Sequence, residues 1–239
     1  FWIALSVLAM GLQIQYILTG KLVFSPLMIF IFTSTLLLYA LHRIVGLKKV
    51  SAFQDQGRYL FISTFKSHIL FYSIVSCIAS VYLFFQLAFP LQLSLFFPAL
   101  ISLAYVLPVL GKKRRLRDFD HIKIYLIFIS WAWVTVILPA QELAMLNVPV
   151  LFIFLERAFF VFAITLPFDI RDLQIDAHTE VRTIPSRIGV KNSIWLALFS
   201  LLICWIFIYL NFRTDVYAPS HFLALSIAVL VTAILFYFS

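Results

Sequence analysis

VPVLFIFLERAFFVFAITLPFDIRDLQIDAHTEVRTIPSRIG, residues 148–189, holds the two features that decide what this chain is. The run up to Phe168 is almost wholly apolar and reaches the roughly 20 residues a helix needs to cross a bilayer. Then the composition turns over. The chain has only ten acidic residues, and Asp169, Asp172, Asp176 and Glu180 crowd into the next few positions. Carboxylates beside hydrocarbon are costly unless they face water or hold a cation, so the cluster marks a candidate site. The spacing i, i+3, i+7 places Asp169, Asp172 and Asp176 on one helical face.

The same apolar signal recurs outward in both directions. Hydrophobic residues make up 64% of the 239, charged residues 12%, and mean hydropathy is +1.06, which excludes an ordinary soluble domain. Apolar stretches near or above spanning length lie at about 1–20, 22–44, 68–89, 91–110, 122–143, 148–168, 192–210 and 221–239. They are continuous rather than alternating, which argues for helices and against a membrane barrel. The expectation is an all-α, polytopic transmembrane bundle of about eight spans, forming one domain over 1–239, with a ninth allowed for beyond the given ends. The first stretch lacks a charged lead-in and a small-residue cleavage site, so it reads as a span and not a signal peptide.

A net charge of +8 raises the question of nucleic acid, but the distribution answers otherwise. Arg43, Lys48, Lys49, Arg58 and Lys66 follow the second stretch; Lys112, Lys113, Arg114, Arg115, Arg117 and Lys123 follow the fourth; Arg171, Arg182, Arg187 and Lys191 follow the sixth. Fifteen of the eighteen basic residues thus sit in alternate loops, the positive-inside pattern. These loops and both chain ends are expected on the cytoplasmic side, in the plasma membrane of a bacterium. The basic loops also suit anionic lipid headgroups. Cys77 and Cys204 fall mid-span in different stretches and read as packing residues.

Three carboxylates at the end of a span suit a hard divalent cation such as Mg²⁺, which takes one or two carboxylates and completes its shell with water and phosphate oxygens. A diphosphate would supply those oxygens, and Arg171, Arg182 and Arg187 lie close in sequence to hold the others. The plain alternative is a solvated loop whose acids and arginines neutralise one another. Pro167, at the end of the sixth stretch, either kinks the helix and frees carbonyls near the carboxylates or is an ordinary helix-end proline.

Asp169-Ile-Arg-Asp172, Asp176, then Arg182-Thr-Ile-Pro185 and Gly189, resembles the second aspartate-rich motif of the UbiA prenyltransferase superfamily. The basic lead-in Arg117 to Lys123 resembles that family's approach to its fifth helix. The resemblance runs from about the second stretch to the seventh. It implies transfer of an isoprenyl chain from its diphosphate to an aromatic or lipophilic acceptor, with Mg²⁺ held between two aspartate-rich motifs. Carried onto this chain, it makes Asp169, Asp172 and Asp176 the metal-binding and catalytic carboxylates. Lys123, Arg171 and Arg182 become diphosphate contacts, with Arg117 a weaker one.

The chain departs from that family at the first motif, an Asn followed by two Asp at four-residue intervals. Tyr39-Ala-Leu-His-Arg-Ile-Val-Gly-Leu-Lys-Lys49 stands there, and the next acid is Asp55. Either His42 and Arg43 contact the diphosphate directly, or the chain binds an isoprenoid or lipid diphosphate without turning it over. The bland reading of His42, Arg43, Lys48 and Lys49 is anchoring at a helix end. Glu180 stands where the family commonly has glycine, and a surface salt bridge is its economical role.

Glu156 and Arg157 sit inside the sixth stretch, away from its aspartate end. Adjacent helical positions point about 100° apart, so each is expected to find a partner on another helix, with Gln13, Gln15, Ser130 and Thr135 as candidates. Aromatic faces suit an allylic carbocation, yet most of the 27 Phe must be packing or lipid-facing. Trp131 and Trp133 point to different sides of one helix, and His68, His121 and His221 read as helix-end residues. A transporter or scaffold is the remaining alternative; acids confined to one rim argue against a transport path.

Overall fold

The computed structural model of the chain describes residues 1–47, 60, 62, 64–106, 122–178 and 182–238. Every element among them is helical: α1 (Trp2–Thr19), α2 (Pro26–Leu47), α3 (Lys66–Phe84), α4 (Phe89–Val106), α5 (Ile122–Ala132), α6 (Leu138–Glu142), α7 (Val148–Arg171), α8 (Leu173–His178), α9 (Ile184–Arg213) and α10 (Pro219–Tyr237). A π-helical turn, Trp133–Ile137, joins α5 to α6 into one span. Among the described residues seven helices are long and apolar enough to cross a membrane, and the chain is a multi-pass membrane bundle. The fourth expected stretch is α4, whose apolar part Phe89–Leu103 is shorter than a full span; the end of the expected range, 107–110, lies outside the described residues.

The helix ends follow from local chemistry. Gly20 closes α1 at φ 70°, returning its N–H to the Tyr16 carbonyl at 2.8 Å. Asn147 caps α7 by accepting the Val150 N–H at 3.1 Å, with Pro149 in the first turn. The hydroxyl of Ser186 accepts the Thr183 N–H at 3.0 Å where α9 begins. Further on, Gly189 at φ 80°, ψ 164° breaks that helix into a short first turn and a long second part.

Prolines inside the spans have local answers. Pro98 has no N–H for the Ser94 carbonyl one turn back, and the Trp133 indole N–H donates to that oxygen instead, at 3.2 Å. The π turn precedes Pro139, which denies Thr135 its ordinary i+4 donor. α7, by contrast, continues as α-helix through Pro167 to Arg171.

α7 and α9 share the largest interface, and α2 packs broadly on α3. Small residues make both close. Ser73, Ser76 and Ser80 are buried on α3, with the Ser80 hydroxyl donating to Thr33 of α2 at 3.0 Å. Ser193, Ala197, Ser200 and Cys204 are buried along α9. Large apolar side chains such as Phe71, Ile78, Leu223 and Leu230 instead face outward, as a lipid solvent allows.

Candidate functional site

The start of α5 meets the end of α7 at one end of the bundle. There the Lys123 ammonium lies 2.7 Å from Asp169 Oδ1, with both side chains largely buried. Two residues 46 positions apart, singled out by the sequence for adjoining roles, therefore meet. Asp169 faces inward because it sits on the buried stripe of α7 that includes Ala158, Thr165 and Leu166.

Asp172 has a different setting. α7 ends at Arg171, and Asp172 forms the turn (φ −91°, ψ 6°) before α8 begins. The Arg171 Nε donates to Asp172 Oδ1 at 2.9 Å and its Nη2 to Oδ2 at 3.4 Å, while the guanidinium lies 5.1 Å from the Phe168 ring centre. The single uninterrupted face expected of the three aspartates is thus broken at its second member. Asp176 belongs to α8, but its side chain, like Glu180 and Arg117, lies outside the described residues.

Arg182 is exposed just before α9. Arg187 lines an open groove of about 300 Å³ with Tyr125, Ile184 and Ile188, beside the first turns of α5 and α9. His42 is half-buried and Arg43 exposed near the end of α2. The site as described holds two carboxylates, Asp169 buried against Lys123 and Asp172 partly exposed against Arg171.

Oxygen-only donors of this kind match a hard cation such as Mg²⁺ in chemistry. Among the described residues no group of three His, Cys, Asp or Glu side chains converges, and Asp169 and Asp172 each carry a basic partner.

Toward the opposite end lies a second polar group. Arg157 Nη2 donates to Gln13 Oε1 at 2.6 Å, and the Tyr217 hydroxyl donates to Glu156 Oε2 at 2.6 Å. Gln13 Nε2 is 3.2 Å from His221 Nε2. Glu142 accepts from Ser25 at 3.0 Å and from Gln15 at 3.3 Å. Burial lifts the Tyr217 phenol well above its usual value, and the neighbouring carboxylate lifts it further, so Tyr217 stays a donor. Of the partners expected for Glu156 and Arg157, only Gln13 serves. Gln15 turns to Glu142, Thr135 bonds its own helix at Trp131, and Ser130 is buried without a partner among the described residues. Sequence reading did not reach Tyr217 or Asn211; their only signal was being polar at the end of an apolar run.

Comparison of the chain with protein-family models, with curated proteins and with solved structures finds no match.

Proposed function

We propose that this chain is an intramembrane prenyltransferase of UbiA type, which moves an isoprenyl group from its diphosphate to an aromatic or lipophilic acceptor with Mg²⁺. The observation that carries the reading is the contact between Lys123 and Asp169, a phosphate-type cation and a metal-type carboxylate set against each other at the end of two spans. The basic-loop end is cytoplasmic in this reading, following the positive-inside pattern.

In this mechanism the isoprenyl chain lies among the spans and its diphosphate reaches the basic rim. Lys123, Arg171 and Arg182 take phosphate oxygens by charge-assisted hydrogen bonds, with Arg117, His42 and Arg43 alongside. Asp169, Asp172 and Asp176 are the residues that would hold Mg²⁺, which when bound supplies Lewis-acid neutralisation of the phosphate charge. The bond between the first isoprenyl carbon and its oxygen breaks with the electron pair leaving on diphosphate, where the cationic side chains stabilise it. The acceptor then bonds to that carbon and gives up its proton.

A second reading, binding of an isoprenoid or lipid diphosphate without turnover, is favoured by the absence of Asn or Asp at 39–49, where His42 and Arg43 stand instead. One experiment separates the two. Purified chain is incubated with Mg²⁺, radiolabelled prenyl diphosphates of several lengths and lipophilic acceptors, and binding is measured in parallel. Labelled product supports transfer; saturable Mg²⁺-dependent binding with no product from any pair supports the binder; neither result sinks both.

A further inference from the structure

The polar group around Arg157 lies about 18 Å along α7 from Asp169, at 1.5 Å per residue, and so belongs to a different site. A cavity of about 80 Å³ opens there among α1, α7, α9 and α10. One wall is polar, formed by Gln13, Glu156 and Arg157; the other is apolar, with Ile208, Leu225 and Val229. Arg157 and Glu156 are each 4% exposed. The guanidinium has five donors, yet among the described residues it makes one hydrogen bond, to Gln13. Unspent donors inside a membrane span are costly, so the cavity is built for an acceptor. One turn beyond Ile208, Asn211 is fully buried.

The walls specify the ligand. Water alone finds no partner along Leu225 and Val229, and liquid water occupies about 30 Å³ per molecule, which limits the cavity to a few atoms of head. Glu156, next to Arg157 and held by Tyr217, already supplies the counter-charge, so an anion would meet both signs at once. α10 is lipid-facing, with Leu223, Leu230 and Ile234 exposed, and packs chiefly on α9. The seam between α1 and α10 is bridged by the Gln13–His221 contact.

We infer that this cavity binds the polar end of an uncharged, lipid-soluble carbonyl or hydroxyl compound, its oxygen on Arg157 and its hydrocarbon body running out past α10. The test uses the full chain in nanodiscs and measures saturable uptake of radiolabelled 2-tridecanone, n-tridecane and dodecanoate above empty discs. The ketone is expected to bind at least tenfold more tightly than the alkane or the acid. Arg157→Met should remove that preference. Val229→Phe, which fills the apolar wall and leaves every polar group in place, should abolish uptake even where Arg157→Met fails to fold. Absence of saturable ketone uptake, equal uptake of alkane, tighter uptake of dodecanoate, or unchanged uptake in Val229→Phe would each overturn the inference. None of these readouts involves diphosphate or turnover, so they stand apart from the function proposed for the aspartate rim.

Discussion

Replacing Lys123 with Met removes the ammonium set against the Asp169 carboxylate inside the bundle, and the cost can be worked from the structure. The two charges are 2.7 Å apart, with side chains 12% and 4% exposed. At an effective dielectric of 20 their attraction is about 6 kcal/mol, most of which offsets the loss of hydration on burial. Removing one partner of such a pair typically costs about 3–5 kcal/mol, because the other charge is left uncompensated. Lys123 keeps some contact with solvent, which sets the expectation for Lys123→Met near 3 kcal/mol. Asp169→Leu should cost a similar amount. The double variant removes both members of the pair and should cost clearly less than the sum of the singles, a coupling of about 2 kcal/mol or more. Reversible unfolding in mixed micelles, followed by tryptophan fluorescence, measures all four corners of the cycle. If Lys123→Met costs under about 1 kcal/mol, or if the double variant costs the sum of the singles, the pair is not the buried, mutually satisfied contact described here.

Other parts of the structure give shorter tests. Asp172→Asn removes a charge from a pair whose arginine is more than half exposed, so unfolding should shift by about 1 kcal/mol or less, while Mg²⁺-dependent binding of a prenyl diphosphate should be lost. Retained binding would show that Asp172 is not a ligand-bearing carboxylate. Trp133→Phe takes away the donor to the Ser94 carbonyl and should destabilise by about 1–3 kcal/mol, with much of that loss absent in a Pro98→Ala background, where the backbone N–H returns. Equal costs in the two backgrounds would refute the exchange of donors. Gly189→Ala forces a side chain onto φ 80°, and the strain should cost about 1–3 kcal/mol in the same unfolding assay. Nothing lies within 4 Å of the added Cβ, so a null effect would mean that the backbone relaxes there at no cost.

Hydropathy was enough to place seven of the eight expected spans among the described residues, because the bilayer solvent demands length and continuity that few other structures need. The third stretch, expected to reach 89, stops at Phe84 because the turn at 85–88 comes before Pro90. The seventh helix begins eight residues before its expected start, since 184–188 forms a turn of helix ahead of Gly189. Polarity misled the reading there: a helix end outside hydrocarbon carries no hydropathy signal.

The candidate site was legible in part. Lys123 and Asp169 were marked by their residue types and by the motif around them, although nothing in the sequence showed that they touch. The helical period that grouped Asp169, Asp172 and Asp176 held only as far as Arg171, where α7 ends and Asp172 takes a turn conformation that a periodic pattern does not encode. Glu156 and Arg157 announced themselves as charges inside a span, but Tyr217 lies 61 positions from Glu156 and Gln13 lies 144 from Arg157.

By itself the sequence determined that this chain lives in a membrane, how its spans are spaced and which loop concentrates acid. Those properties follow from the free energy of moving each side chain out of water, which is local and additive. The tertiary structure alone decided which charge meets which: Asp169 with Lys123, Asp172 with Arg171, Glu156 with Tyr217 and Arg157 with Gln13. A buried charge is tolerated only within a few ångströms of its partner, and that proximity arises when the helices pack.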